Sequence, residues 1–169
     1  FVELNQRIEN LSRGLTALSG STDGAAQEVE YLAGVSEKYG LKILDLSDNY
    51  VKLIASSKGT ALEGEAVKKV FDSVSGAMAV LGGDTTTVHR AFNALAQMMS
   101  KGQIYSEELK GQLAEAIPGA LGIMSRALGI TTADLLALME AGSLSSDVLL
   151  PFATQLEQEF GKFATTGKT

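Results

Sequence analysis

The side chains best placed for acid–base chemistry in this sequence are the adjacent Glu107 and Glu108 and, further along, Glu115. Cleavage of a glycosidic bond needs a partly buried carboxyl group with a raised pKa facing a second carboxylate. Glu107 and Glu108 instead fall in a polar helix start beside Lys110, and Glu115 is followed by Ala116 rather than by a serine. Helix capping and solvated faces account for all three, so no catalytic residue is assigned. His89 is the only histidine, and no Cys, second His or Glu stands at a ligand or triad offset from it. It reads as a helix-surface or partly packed residue, with no metal site. The terminal Thr165-Thr166-Gly167-Lys168-Thr169 resembles the end of a phosphate loop. Five residues separate Gly161 from Gly167 where that loop has four, and neither the strand before it nor the helix after it is present. No cofactor is expected. Gly119 and Gly122 form a GxxG string without the basic flanks or strands of a nucleic-acid loop, so close helix packing at an adjacent Pro118 corner is the expected explanation. Met78, Met98, Met99, Met124 and Met139 fit core positions at helical spacing, with an exposed methionine-rich groove as the alternative.

Helices must position these residues. The 169-residue chain is 45% hydrophobic and 20% charged with only two prolines, which suits one globular domain with a proper core. Eighteen glycines are many for a helical chain and imply frequent stops. A net charge of −6 with scattered basic residues, Lys68-Lys69 being the local pair, argues against a nucleic-acid surface. The longest apolar or small run, Ala116 to Met124, is nine residues and contains a proline, so no membrane span is expected. Without cysteine there is no disulfide framework. Phe1-Val2-Glu3 does not look like a secretory signal, and a start inside a periodic pattern without Met suggests a piece of a longer polypeptide.

Phe1, Leu4, Ile8, Leu11, Leu15 and Leu18 alternate spacings of three and four, a heptad seam. Two readings stay open: a helix docked on its own domain, or the end of an upstream coiled coil that self-associates through residues 1–18. The loop from Ser19 to Gly24 is the expected boundary between a heptad-patterned helix, residues 1–20, and a helical domain, residues 21–169. Val29, Leu32, Val35 and Tyr39 predict one helix ending at Gly40; Ile43, Leu46, Tyr50, Leu53 and Ile54 predict another ending near Lys58-Gly59. Thr60 and Glu63 form a capping-box signature that opens a helix with Val67, Val70, Phe71, Val74, Met78 and Leu81, closed by Gly82-Gly83. Asp84 caps a helix carrying Val88, Phe92, Leu95 and Met99, and Thr131 caps one carrying Leu135, Leu138 and Met139 that stops at Gly142. Ser145 or Ser146 opens the last helix, with Pro151 in its first turn and a stripe of Leu149, Phe152, Leu156, Phe160 and Phe163. No period-2 strand or hairpin dipeptide is present. The pattern is all-α: a compact multi-helix globular bundle of about eight or nine short helices.

Residues 91–129 are the most sharply punctuated. A helix stops at Lys101-Gly102, and Ser106 is expected to cap the next, with Glu107 and Glu108 in its first turn. Leu109, Leu113 and Ile117 form one apolar stripe. Pro118 turns the chain and takes a first-turn position in the following helix, whose stripe is Leu121, Met124 and Leu128 before a stop at Gly129. The ordered series Ala94-Leu95, Gln97, Ser100-Lys101-Gly102, Glu107-Glu108-Leu109, Gln112-Leu113, Glu115, Pro118-Gly119-Ala120 and Arg126-Ala127-Leu128-Gly129 resembles the conserved domain of phage tail tape measure proteins. Leu135, Met139, Gly142 and the Leu150-Pro151-Phe152 turn continue the match, while Ile104, Ala116 and Ser125 are mild departures.

The resemblance implies a structural role in the virion tail. In that family a long helical parent sets tail length, templates tube polymerisation with chaperone help and leaves through the tube as DNA is ejected. Partners implied are tube, tail-tip and assembly-chaperone proteins. Some members carry cell-wall-cleaving domains, so a lysozyme-like module is one alternative, although the segment Ala120 to Ser125 lacks the Glu-Ser context of such enzymes. The other alternative is an adaptor that docks a tail-tip protein, an assembly chaperone or the host inner membrane.

Overall fold

Most helices of this chain end where a residue without a Cβ lets the backbone turn left-handed. In a computed structural model, which describes residues 2–164, the helices are α1 Val2–Ser19, α2 Thr22–Tyr39, α3 Ile43–Ser57, α4 Glu65–Leu81 and α5 Thr85–Lys101. A π-helical segment, Glu107–Leu113, then runs directly into the single turn α6, Ala114–Ala116. α7 Ala120–Leu128, α8 Thr132–Glu140, a 3-10 turn Ser146–Val148 and α9 Leu149–Ala164 complete the chain. The stops at Gly40, Gly82, Gly102 and Gly129 have φ of 70°, 69°, 74° and 68°, and each glycine amide returns to a carbonyl of the turn before it. The described residues contain no strand, only one isolated antiparallel bridge between Gln103 and Ser145.

Helix starts follow the expected caps at Asp84, Thr131 and Ser145, whose oxygens accept from the amides of Thr87 at 2.7 Å, Asp134 at 3.1 Å and Asp147 at 3.2 Å. Two expected caps are not formed. Ser106 is itself helical, with φ −56° and ψ −35°, and its side chain caps nothing. Thr60 and Glu63 do not open α4. The Thr60 hydroxyl accepts from Leu62 N at 3.2 Å and the Glu63 carboxylate from Gly59 N at 3.1 Å, so the pair builds a tight turn. Gly64, at φ 91°, breaks that turn from the helix, and α4 begins at Glu65.

α4 is the axis of the molecule. Val67, Val70, Phe71 and every residue from Ser73 to Met78 are buried. α9 is its main neighbour and covers it with Phe152, Ala153 and Leu156. Phe160 packs at the margin, whereas Phe163 is 56% exposed, so the expected stripe fades at the last turn. Tyr31, Tyr50, Phe71 and Phe92 form a continuous aromatic file through α2, α3, α4 and α5, with centroid separations of 5.5, 4.9 and 5.4 Å. Gly76 lets Tyr39 come close: a Cβ there would stand 3.0–3.1 Å from the Tyr39 ring and hydroxyl, tighter than ordinary contact. All five methionines are buried in the core, which removes the methionine-groove alternative. Val29 and Leu81, expected inside, lie on the surface.

The heptad seam of α1 divides along its length. Leu15 is fully buried and Leu11 packs against the core, but Ile8 is 46% exposed. Phe1 and the Leu4 side chain fall outside the described residues. No single helix among the described residues is long and apolar enough to cross a membrane; α7 and α8 have suitable composition only as a pair bent by 95°.

The burial pattern separates two leucines on either side of the Pro118 corner. Leu113, fully buried, should cost about 2–5 kcal/mol when changed to Ala. Leu121, expected in the core but only partly buried, should cost less than Leu113 because Ile123 and Met124 occupy the inner face of α7. Urea denaturation of both variants checks the order; equal losses would contradict this packing.

Candidate functional site

The corner built by residues 101–129 concentrates the unusual backbone and charge features of the fold. Gly102 ends α5, and its carbonyl accepts from Ser146 N at 3.1 Å, while Ile104 N donates to Leu144 O at 2.8 Å. These bonds pin the exit from α5 to the α8–α9 connection. The chain then enters the π-helix. Bonding from i to i+5 widens the turn relative to an α-helix, and π-turns cluster at functional sites. Here the wider turn places Glu108, Leu109 and Leu113 inside together.

Glu108 corrects the expectation from sequence. It is fully buried rather than solvated, with its Oε1 2.7 Å from Lys101 Nζ. Its other oxygen, Oε2, is buried without a hydrogen-bond partner. The hydrogen bond to Glu108 raises the Lys101 pKa above its ordinary value. Glu107 does stay exposed. Two adjacent glutamates give no signal of which one turns inward, because that depends on the π-helical register.

At the next bend Ile117 is extended, with φ −119° and ψ 90°, as a residue before proline prefers. The helix does not restart at Pro118. Gly119, at φ 84°, takes the N-cap position and α7 begins at Ala120. This conformation explains Gly119. Close packing does not explain Gly122, where a Cβ would meet only Arg126 Nη1, at 3.3 Å.

Two further charges of the corner, Glu115 and Arg126, are paired on the surface. Glu115 pairs with Arg90 at 2.9 Å, both well exposed. Arg126 grips Glu159 bidentately, Nε to Oε2 at 2.9 Å and Nη2 to Oε1 at 2.7 Å, and Gln155 donates to the same carboxylate at 2.8 Å. The Arg126 hydrogen bonds hold the Glu159 pKa below its usual value. Glu107, Gln112 and Glu115 border a wide open trough with Arg90 and Gln97. Glu107 and Glu115 thus face solvent and Glu108 faces Lys101, so these three carboxylates are not opposed across an enclosed cleft. His89 sits on the surface of α5 with Nδ1 2.8 Å from Asn49 Oδ1. No group of three or more His, Cys, Asp or Glu among the described residues could hold a metal ion. The Thr165–Thr169 tail lies outside the described residues.

The family model described as tape measure protein matches residues 1–169, the whole chain. The chain belongs to the tape measure protein family. It is 25% identical over 163 residues to the probable tape measure protein of Salmonella phage Felix O1 (isolate Felix O1-VT1), a match covering 96% of this chain and 22% of that protein. The chain therefore spans about a fifth of the length of this relative. No solved structure matches it.

Within this tape measure domain the motif residues divide by position. Leu109, Leu113 and Glu108 are interior; Gly102, Pro118, Gly119 and Gly129 shape the bends; Lys101, Gln112, Glu115 and Arg126 work at the surface. Glu108→Gln should cost about 1–3 kcal/mol, because it weakens the charge-assisted bond to Lys101 in a buried setting. Glu107→Gln should stay within about 0.5 kcal/mol, as surface substitutions do. Denaturation midpoints of the two variants make the comparison, and equal effects would contradict the inward placement of Glu108. Acid adds a second check. Glu159 has a lowered pKa, so its pairing stabilises the fold above the ordinary value of 4.5 and is lost as pH falls through the lowered one. Glu159→Gln should flatten that part of the stability–pH profile, read by urea titrations between neutral and acid pH.

Proposed function

We propose that this chain is a folded structural domain of a phage tail tape measure protein, acting in the virion tail through protein–protein contacts and catalysing no reaction. The match of the family across the whole chain carries this reading. The accounting of Glu107, Glu108 and Glu115 by solvent, Lys101 and Arg90 supports it over a cell-wall-cleaving module. Its work is a contribution to tail length determination, tail assembly and DNA ejection, with tube, tail-tip and assembly-chaperone proteins as partners. Residues 1–20 act as the heptad-patterned end of an upstream coiled coil, and residues 21–169 as the helical tape measure domain. The exposed Ile8 on the α1 seam supports self-association through residues 1–18.

Length arithmetic sharpens the role. An extended helix rises about 1.5 Å per residue, so residues 21–165 in that form would span about 220 Å. Folded as a compact ball, they measure about 40 Å across. A folded domain contributes little graduated length, so this one acts as a folded stop near one end of the tail or as a unit that unfolds to pass through the tube. In-frame deletion of residues 21–165 from the parent gene, followed by electron microscopy of tails, tests the folded stop. Little or no shortening is expected; shortening by about 200 Å would show that the segment is extended during assembly. On zymograms the purified chain should leave peptidoglycan intact, and a cleared band would overturn the non-catalytic reading.

A further inference from the structure

The helical turn at residues 107–113 is wide in its middle and ordinary on both sides. Leu109 N donates to Tyr105 O at 3.1 Å and Ile117 N to Leu113 O at 2.8 Å, both four-residue bonds of the α type. Between them Ala114 N reaches back five residues to Leu109 O. A bulge of this kind holds one residue more than an α-helical turn, and passing that residue to a flank restores the α period. The flank at residues 103–106 can take it: Tyr105 and Ser106 are exposed. Gly111, with open space beside it, gives the segment backbone freedom.

The two registers differ in one side chain. Leu109, Leu113 and Ile117 are fully buried, and they share one face of an α-helix, so they stay inside in either register. Glu108 does not. In the bulged register it is fully buried, held through Oε1 by Lys101 Nζ at 2.7 Å, with Oε2 unpartnered. In the α register it stands at i, i+4 and i+7 with Gln112 and Glu115, which border the open trough beside Arg90 and Gln97. A buried carboxylate is costly unless paired and hydrogen-bonded, and one oxygen of this one has no partner. Lys101 is the only side chain bonded to Glu108 among the described residues, and it stands at the rim, 46% exposed. The choice of register thus depends on a bond that solvent reaches from one side.

We propose that residues 107–113 form a two-register switch latched by the Lys101–Glu108 bond. With the bond made, the segment is π-helical and Glu108 is inside. With it broken, the segment becomes α-helical, Glu108 joins the trough, and Ala114 N bonds to Lys110 O in place of Leu109 O. The exposed face of residues 107–116 changes in charge and outline while the core leucines keep their places.

NMR couplings across hydrogen bonds identify the acceptor of each amide, so the isotopically labelled chain is compared with three variants. Wild type should show the Ala114 amide coupled to the Leu109 carbonyl. Lys101→Met, which removes the charge and keeps the stem, should move that coupling to the Lys110 carbonyl. Glu108→Leu should retain the Leu109 acceptor, because an apolar side chain favours the interior, and so should the double variant Lys101→Met with Glu108→Leu. A pair that only stabilises the fold behaves differently: Lys101→Met would lower the denaturation midpoint with the Leu109 acceptor unchanged, and that result overturns the proposal. So does a Lys110 acceptor in wild type or in Glu108→Leu. Should Lys101→Met fail to fold, relaxation dispersion on wild type decides. Exchange confined to residues 103–114 is expected, and flat profiles there overturn the switch.

Discussion

Burial of α4 on every side is the constraint that the rest of the structure obeys. A surface helix hides one stripe, whereas α4 hides six successive residues from Ser73 to Met78. Neighbours must therefore stand all around it, and α2, α3 and α9 do so directly, with Phe92 of α5 meeting Phe71. Small residues allow the approach. Gly76 admits the Tyr39 ring, and the Ser73 hydroxyl donates to Glu157 of α9 at 2.9 Å. Tyr39 in turn donates to Asp72, and burial pushes its hydroxyl pKa above the ordinary value. A helix enclosed in this way cannot belong to one long continuous rod. The chain has to turn back repeatedly, and the glycine stops are what allow it.

Those stops are also why so much of the fold is legible in the sequence. Gly40, Gly102 and Gly129 follow a last turn that carries a basic residue, Gly82 follows an apolar one, and all four adopt positive φ, while Asp84, Thr131 and Ser145 carry cap chemistry that acts over two or three residues. Local signals of this kind need no tertiary context. The same logic misplaces the start of α4, because Thr60 and Glu63 satisfy a capping-box spacing while bonding to Leu62 and Gly59 instead. Positions set by long-range packing are the least legible. The inner face of α7 is turned from Leu121 toward Ile123, and Val29 is left on the surface, although both helices carry the periodicity that suggests otherwise.

The site shows the same division. Pro118 and Gly119 mark their bend in any reading of the sequence, yet the pairing of buried Glu108 with the surface Lys101 is hidden there, since its placement follows from a π-helical register that the α-helical period does not predict. In retrospect a weak signal exists. Ile104, Glu108-Leu109, Leu113 and Ala116-Ile117 recur at slightly more than four residues, the slower rhythm of a wider turn, and all are buried. A carboxylate held inside with one oxygen unpartnered is a costly feature to keep, which ties this corner to a specific packed arrangement rather than to a loosely ordered helix.

The tape measure family is represented here by a compact domain organised around α4. Small-angle X-ray scattering of the purified chain tests it most directly. A folded chain of this length should give a radius of gyration of about 15 Å, with the bell-shaped Kratky profile of a globular particle. A value near 43 Å, the approximate dimension of the unfolded chain, or the profile of a rod, would contradict the account.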